Sequence, residues 1–282
     1  MNMNRREFVR RATMLSATTA AAPLLFCNQN KQRTLGNYGF ISGIIGKELQ
    51  DDWRSALSQA VSFGFTEYEG GLQGDSPAVF LDFCRQIGLR PVAGGVQFSE
   101  DLDTVQQSFD RINELEMKYA VTYWPWFSGG PFTLDDCKKS VEVLNKMGAL
   151  AEGNGLVFCW HNHDKEFHAM EEGLPFDYLM QNTDENLVKC EMDIYWVKKG
   201  GGNPLEILKQ YAGRIPILHV KDMAPGEEQD FACPGSGIID FAPIFAEAHR
   251  QGIKHYFVER DNVPDGLACL QSSSEYLRNL KF

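Results

Sequence analysis

The sequence predicts an α/β protein, a single-domain (β/α)8 TIM barrel in residues 36–282 that follows an N-terminal export signal in residues 1–30. Three observations predict this fold. Short apolar runs alternate with segments of helical periodicity, which indicates parallel strands joined by helices. Eight such strand–helix pairs fit a chain of 282 residues, which suits one barrel of this kind. Side chains that bind metals follow the last four strand-like runs, and TIM barrels place their chemistry at that end.

Residues 1–30 resemble a twin-arginine export signal. Arg5 and Arg6 stand in the segment NRREFVR, and a moderately apolar run, 12–26, follows it. This run is too short to span a membrane and is preceded by basic residues, as in signal peptides. We therefore expect a periplasmic or otherwise exported protein without a stable membrane span. A lipid anchor at Cys27 is the alternative, although the residues before it match a lipobox poorly.

The first four strand–helix pairs follow from local sequence signals. Helices begin at residues that can cap them, such as Asp51 or Asp52, Ser76 and Thr133, and two of them end at Gly64 and Gly88. The predicted strands are 38–42, 65–68, 90–96 and 119–123. The predicted helices are 52–64, 77–88, 102–118 and 133–150.

The last four pairs complete the barrel. The predicted strands are 156–160, 187–192, 215–218 and 255–258, and the helices between and after them are 175–181, 204–211, 241–251 and 267–280. A doubly wound open sheet is the structural alternative. Such a fold commonly carries GxGxxG after its first strand, and the nearest approach here is the segment 43–46, GIIG. The barrel is therefore the favoured fold.

Composition limits the partners. The net charge is −11 and the isoelectric point is about 5.1. An acidic surface repels phosphate backbones, so we expect no nucleic-acid partner. The 7 cysteines include no CxxC pair and fit no zinc module, and a protein exported after folding in a reducing cytoplasm needs no disulfides. The sequence therefore predicts no obligatory disulfide framework. It leaves the oligomeric state open.

Four side chains form the predicted metal site. His161, Asp193, His219 and Glu259 each stand near the carboxyl end of one of the last four predicted strands. A parallel barrel brings these strand ends together. Nitrogen and oxygen ligands of these types suit one divalent cation such as Mn, Co or Zn.

Five segments carry a family resemblance: WHNHDKEF at 160–167, EMDIYW at 191–196, RIPILHVKD at 214–222, GSGIIDF at 235–241 and VERD at 258–261. With them the chain resembles the xylose-isomerase-like barrels of the sugar phosphate isomerase/epimerase family over roughly residues 36–282. The resemblance implies one divalent metal held at the barrel mouth, commonly by Glu, Asp, His and Glu. Asp193, His219 and Glu259 match the last three of these ligands, whereas His161 stands in place of the first Glu.

The histidine at position 161 changes the expected chemistry. In the epimerases that this chain resembles, two metal-bound glutamates exchange a proton on opposite faces of the substrate. With His161 in place of one glutamate, proton transfer on one face or elimination of a β-leaving group becomes the more natural outcome. An endonuclease of abasic DNA shares the fold, but the acidic net charge and the small number of additional ligands argue against that activity.

The catalytic residues follow from the same chemistry. A divalent cation bound to a sugar carbonyl acidifies the neighbouring C–H group, and the resulting enediolate needs cationic support. Glu259 is the first candidate for the base, and His163 is the second. Lys221 is expected to hold a substrate oxygen. Asp222 either orients His219 or Lys221 from behind or caps the following turn.

Aromatic residues near the predicted mouth are candidates for sugar contacts. Trp124, Trp126 and Trp196 can stack on the C–H faces of a sugar ring, and the alternative is a hydrophobic lid that packs on itself. Glu67 or Glu69 at the end of the second predicted strand can reach the pocket or lie in an exposed turn. No basic cluster marks a phosphate site, so we expect a small-molecule substrate that is an unphosphorylated sugar or glycoside.

Two enzymatic functions and one non-enzymatic function remain open at this point. The first is a metal-dependent sugar isomerase or epimerase that abstracts a proton next to a carbonyl through a metal-stabilised enediolate. The alternative is a metal-dependent lyase or dehydratase of a keto-sugar, a 3-keto-glycoside or a keto-inositol, which shares the first step. A carbohydrate-binding protein without activity is the third, and the intact set of ligand types disfavours it.

Overall fold

The computed structural model describes residues 32–130 and 132–282. The predicted export signal and Cys27 lie outside these residues and stay predictions. Residues Arg33–Phe282 form one compact unit. Within the described residues, no helix has the length and apolar character that crossing a membrane requires.

Eight parallel strands close into a barrel, which confirms the predicted fold. The barrel strands are β1 (Gly39–Ile41), β2 (Glu67–Glu69), β3 (Arg90–Gly95), β4 (Tyr119–Thr122), β5 (Val157–His161), β6 (Val188–Asp193), β7 (Ile217–Val220) and β10 (His255–Val258). Each strand pairs with its predecessor, and β10 closes the barrel against β1. A two-stranded antiparallel hairpin, β8 (Asp222–Met223) and β9 (Phe231–Ala232), follows β7.

The helices surround the strands in the predicted order. They are α1 (Gly46–Phe63), α2 (Pro77–Ile87), α3 (Leu102–Glu114), α4 (Leu134–Gly153), α5 (Pro175–Asn182), α6 (Ile194–Lys199), α7 (Pro204–Gln210), α8 (Phe241–Gln251) and α9 (Gly266–Asn279). Two short 3-10 helices, Ser42–Ile45 and Lys165–Phe167, follow β1 and β5. The predicted cap residues act as expected at α4, where Thr133 and Asp136 form a reciprocal capping box.

The first helix begins earlier than predicted and is interrupted at the predicted cap. Asp52 has extended φ and ψ angles of −156° and 92° inside α1. Its Oδ1 accepts hydrogen bonds from the backbone N–H groups of Arg54 and Ser55. Asp52 therefore caps the longer, C-terminal part of α1. The helical turn that precedes Asp52 contains Leu49, which is buried.

The barrel interior is filled by apolar side chains below the mouth. Val92, Val121, Cys159, Ile217 and Phe257 pack against one another and are almost fully buried. A larger apolar layer lies between the strands and the surrounding helices. Because the interior is filled, the polar residues at the carboxyl ends of the strands line the mouth of the barrel.

The structure contains one disulfide, whereas the sequence predicts no obligatory disulfide framework. Cys233, just after β9, is bonded to Cys269 in α9, and their Cα atoms are 5.6 Å apart. The other described cysteines, Cys84, Cys137, Cys159 and Cys190, are buried free thiols. The paired cysteines are 36 positions apart, so only the closed barrel brings them together, and their spacing carries no signal in the sequence.

Candidate active site

The predicted metal ligands occupy the carboxyl ends of adjacent strands. His161 ends β5, Asp193 ends β6 and His219 lies in β7, while Glu259 directly follows β10. Asp193 and His219 are register partners across β6 and β7. His161, Asp193 and His219 are buried, whereas 13% of the Glu259 side chain is exposed. The barrel geometry thus delivers these groups to one place, as the sequence predicts.

Three of the predicted ligands lie close enough to bind one ion. His161, Asp193 and His219 each offer a donor atom within 4.8 Å of the others, and Nε2 of His161 lies 3.9 Å from Oδ2 of Asp193. Oδ2 of Asp193 and Nδ1 of His219 are buried, and no described residue gives them a hydrogen bond. Buried polar atoms without a hydrogen-bond partner are costly unless another group satisfies them. The donor set therefore fits a divalent cation.

Glu259 is placed beside a lysine instead of among these three donors. Its Oε2 lies 2.5 Å from Nζ of Lys221, without hydrogen-bond geometry. The same ammonium lies 2.5 Å from Oδ2 of Asp261 and 3.6 Å from Oδ2 of Asp193. Lys221 thus links the predicted base to the predicted metal site, and its side chain is almost fully buried.

A second layer of acidic residues lies under the histidines. Oε2 of Glu191 is 3.0 Å from Nδ1 of His161 and 3.2 Å from Nε2 of His219. Oε2 of Glu69 is 3.1 Å from the same His219 nitrogen, and the hydroxyl of Tyr123 donates to Glu69 Oε1 at 2.6 Å. These carboxylates orient both imidazole rings.

Glu191 is not among the site residues predicted from the sequence. The signal was present, because residues two apart on a strand point to the same face, and Glu191 is two positions before Asp193 on β6. Glu69, Glu191 and His219 also bring donor atoms within 4.8 Å of one another. The structure therefore adds a buried acidic pair to the predicted histidines.

Burial and neighbouring charges shift the acid–base properties of the site. Burial raises the pKa of Glu259 to about 7, against the opposing effect of the Lys221 charge. Burial and the nearby Glu69 carboxylate raise the pKa of Glu191 to about 8. Burial, helped by the charge of Lys221, lowers the pKa of His163 to about 4. His163 is therefore a neutral imidazole at neutral pH, and Glu259 can exchange a proton there.

A cavity of about 500 Å³ opens above these groups. The site residues that line it are His161, His163, Trp196, His219, Lys221 and Glu259. Trp196 stands where a substrate ring can stack, with Nζ of Lys221 4.8 Å from its ring centre. Asp193 is fully buried and does not line the cavity. Glu259 is therefore the only carboxylate of the predicted ligand set that a substrate in this cavity can touch.

Trp124 and Trp126 line a different cavity. They follow β4 and belong to a neighbouring space that Tyr123 shares with the first. Trp126 is almost fully buried, stacks on Phe132 at 3.9 Å and donates from Nε1 to Oε1 of Glu166 at 2.6 Å. The structure thus separates these indoles from Trp196, with which the sequence analysis had grouped them.

The placement of Glu67 corrects its predicted role in substrate binding. Glu67 begins β2 and is in register with Gly39 and Arg90, the first residues of their strands. Its carboxylate contacts His255 and Arg90 at the amino end of the barrel, opposite the mouth. The predicted strand ended at residue 68, whereas β2 ends at Glu69, so Glu69 is the acidic residue at the carboxyl end.

Asp222 organises a loop and contacts neither His219 nor Lys221. Its carboxylate accepts hydrogen bonds from the backbone N–H groups of Gly235, Gly237 and Ile239. A Cβ atom at Gly237 would lie 2.4 Å from Oδ1 of Asp222, so only glycine fits there. Of the two roles considered, the structure supports the capping role and corrects the expectation of support for the ligands.

Comparisons with known proteins identify the family. A family model described as xylose isomerase-like TIM barrel matches residues 72–280, which is most of the chain. The chain belongs to this family, as its motifs indicate. An inosose dehydratase from Clostridium beijerinckii is 34% identical over 134 residues, which cover 40% of this chain and 43% of that protein. The chain thus spans less than half the length of this curated relative.

Solved structures show the same fold. A sugar phosphate isomerase/epimerase from Parabacteroides distasonis superimposes with a TM-score of 0.74 at 23% identity, covering 87% of this chain and 94% of that one. The IolI protein with a bound zinc atom superimposes with a TM-score of 0.67 at 17% identity, covering 85% and 95%. At these identities the likeness concerns the fold alone.

Proposed function

We propose that this member of the xylose isomerase-like TIM barrel family is a metal-dependent carbon–oxygen lyase. Its substrate would be a cyclic ketone that carries hydroxyl groups, such as a keto-inositol or a keto-sugar. One observation carries the proposal: His161 lines the cavity at the position where the epimerases that this chain resembles carry a second metal-binding glutamate. The curated relative named inosose dehydratase supports a lyase over an isomerase.

The metal would be held by the three clustered donors. His161, Asp193 and His219 would bind it, and Glu259 is the fourth candidate ligand. When bound, a divalent ion acts as a Lewis acid that polarises a carbonyl and acidifies the adjacent C–H group. The mixture of imidazole nitrogens and carboxylate oxygens suits Mn, Co or Zn and does not select among them.

Glu259 would serve as the base. Burial raises its pKa to about 7 in the metal-free site, which favours a carboxylate that can accept a proton. It takes the proton from the carbon next to the carbonyl, and the C–H electron pair moves toward that carbonyl. The C–O bond at the next carbon then breaks, a C=C bond forms, and the leaving oxygen takes a proton. The proton that Glu259 collected can return to that oxygen when both events occur on one face.

Lys221 and His163 would support this transfer. The ammonium of Lys221 is buried and lies beside Glu259, so it can donate to an oxygen on which negative charge develops. His163 lines the same cavity, and its Nδ1 is buried without a hydrogen bond from a described residue. A substrate hydroxyl is the natural partner for that nitrogen.

The isomerase or epimerase reading shares the first proton abstraction. It differs because the carbon must be reprotonated, and epimerisation needs a second acid on the other face. The remaining predicted ligands that line the cavity are the histidines His161 and His219. His161 in place of a metal-binding glutamate is the specific reason to place elimination first, and the other carboxylates that line the cavity, Glu48 and Asp261, lie outside the predicted ligand set.

The proposal is tested with an inosose and a 3-keto-glucoside as substrates. Protein loaded with Mn, and the same protein after chelation, would be mixed with each substrate and followed by proton NMR. A lyase gives a vinylic proton, or the dione into which the enol rearranges, only in the metal-loaded sample. A new epimer or isomer in place of these products would assign the isomerase function.

A further inference from the structure

A second cavity lies beside the candidate active site. The carboxyl ends of β3 and β4 and the segments that follow them line an open cavity of about 590 Å³, a volume typical of small-molecule sites. Its walls include Phe98, Trp124 and Phe127. The mechanism described above uses none of these residues.

The walls of this cavity are suited to a ring with an apolar face. The rings of Phe98 and Phe127 lie 4.7 Å apart, and 55% of Phe127 is exposed. Among the described residues, Phe127 is the only aromatic side chain in the exposed apolar group. Aromatic faces pack against the C–H faces of sugars, so a sugar ring bound in this cavity would cover the exposed Phe127 side chain.

The cavity also offers polar groups. Thr122 lines it and is 1% exposed, yet its hydroxyl has no hydrogen-bond partner among the described residues. A buried hydroxyl without a partner is unfavourable unless a ligand completes it. Gln97 adds an exposed amide to the same wall. These groups favour a hydroxylated ring over a hydrocarbon.

The two cavities are neighbours across a thin wall. Tyr123 lines both, and its ring lies 5.8 Å from that of His161. Trp124 lines the second cavity, and its ring lies 5.4 Å from that of His163 in the first. A Cβ atom at Gly95 would lie 3.0 Å from the Tyr123 ring, so glycine leaves room for this wall.

We infer that the second cavity binds the leaving group of a two-ring substrate, so that the enzyme cleaves keto-glycosides in preference to single-ring keto-polyols. The inference rests on the proposed lyase function. The keto ring would occupy the first cavity, and the glycosidic oxygen would lie beside Tyr123, the residue that lines both cavities. The C–H proton leaves, the C=C bond forms, the C–O bond to the second ring breaks, and that ring departs as an alcohol after taking up the proton.

The test compares substrates in variants of the second cavity. Substrates would be a 3-keto-disaccharide, the matching 3-keto methyl glycoside and an inosose. Phe127→Ala and Thr122→Val are expected to lower kcat/KM for the disaccharide about tenfold more than for the two single-ring substrates. Val79→Ala, which truncates an exposed apolar residue on α2, is the matched control and is expected to change none of them. Equal losses on all three substrates would overturn the inference.

A binding measurement separates this inference from the proposed function. Cellobiose has two rings but no ketone, so it can bind without reacting. Calorimetry should show weaker cellobiose binding to Phe127→Ala than to wild type, even if no substrate is turned over. If wild type turns over the inosose, and Phe127→Ala changes neither the preference for the disaccharide nor the binding of cellobiose, the lyase function is supported and the proposed subsite is wrong.

Discussion

Nζ of Lys221 lies 2.5 Å from Oε2 of Glu259, so the predicted base and the predicted oxyanion donor are partners in one buried ion pair. Lys221 also contacts Asp261, which keeps the ammonium compensated if Glu259 takes up a proton or moves toward a metal. A buried charge that loses all its partners is strongly destabilising. The Asp261 carboxylate therefore allows Glu259 to take up and release a proton without leaving the Lys221 ammonium unpaired.

Glu259→Gln is expected to remove the base while keeping the side-chain volume. Lys221 retains Asp261, so the variant should fold and should lose about 10²–10⁴-fold in kcat with saturating Mn. Steady-state kinetics and metal content by mass spectrometry measure the effect. Asp261→Asn is the matched control, because it removes an equally close carboxylate from the same lysine. Similar losses in both variants would show that charge balance matters and that Glu259 is not the base.

His161→Glu would restore the ligand type of the epimerases that the chain resembles. The new carboxylate would face Glu191 and Asp193, which lie 3.0 and 3.9 Å from the imidazole nitrogens. Like-charge repulsion should lower the melting temperature of the metal-free variant, and a bound cation should restore it. The rise in melting temperature on adding Mn is therefore expected to exceed that of wild type and of His161→Gln. An unchanged rise would mean that position 161 does not contact the metal.

The disulfide is expected to stabilise the barrel. A double Cys233→Ser, Cys269→Ser variant should lose about 2–4 kcal/mol in free energy of unfolding, because the bond restricts the unfolded chain. Denaturant unfolding with and without reductant measures this. Reductant should destabilise wild type to the level of the double variant and leave that variant unaffected.

Glu166 is expected to make stability depend on pH. Burial raises its pKa from the ordinary value of 4.5 to about 7, although Trp126 and the backbone of His163 donate hydrogen bonds to it. The folded state therefore holds the proton more tightly than the unfolded chain. The stability that this proton provides is complete below about pH 4.5 and is lost as the pH rises toward 7.

Melting temperatures of wild type and Glu166→Gln between pH 5 and 8 check this sign. Wild type should lose more stability than the variant over this range, because glutamine does not ionise. Glu171→Gln, an exposed change on the same segment, is the control. Parallel curves for wild type and Glu166→Gln would show that Glu166 does not titrate in this interval.

The sequence was most informative where local pattern and topology agree. The predicted strand ends lie close to the observed ones. They bring His161, Asp193 and His219 together because a parallel barrel gathers the carboxyl ends of its strands at one mouth. The prediction was wrong for Glu67, because its role depends on where β2 begins and ends. The predicted strand ended at residue 68, whereas β2 ends at residue 69. Glu67 therefore lies at the amino end of the barrel, and Glu69 lies in the site.

Contacts between distant segments were beyond sequence reasoning. The pairing of Cys233 with Cys269 and of Lys221 with Glu259 depends on how loops close over the barrel. The short helix α6 and the hairpin of β8 and β9 are too brief to show periodicity, and Asp193 and Asp222 organise them through side-chain to backbone hydrogen bonds.

The reaction of a 3-keto-glycoside in D2O with Mn-loaded protein tests the lyase assignment most directly. Proton NMR would follow the carbon next to the carbonyl and the carbon that bears the glycosidic oxygen. The lyase predicts release of the alcohol in step with a vinylic proton on the second carbon. Deuterium on the first carbon of a new epimer, with the glycosidic bond intact, would contradict it and establish an epimerase on the same metal site.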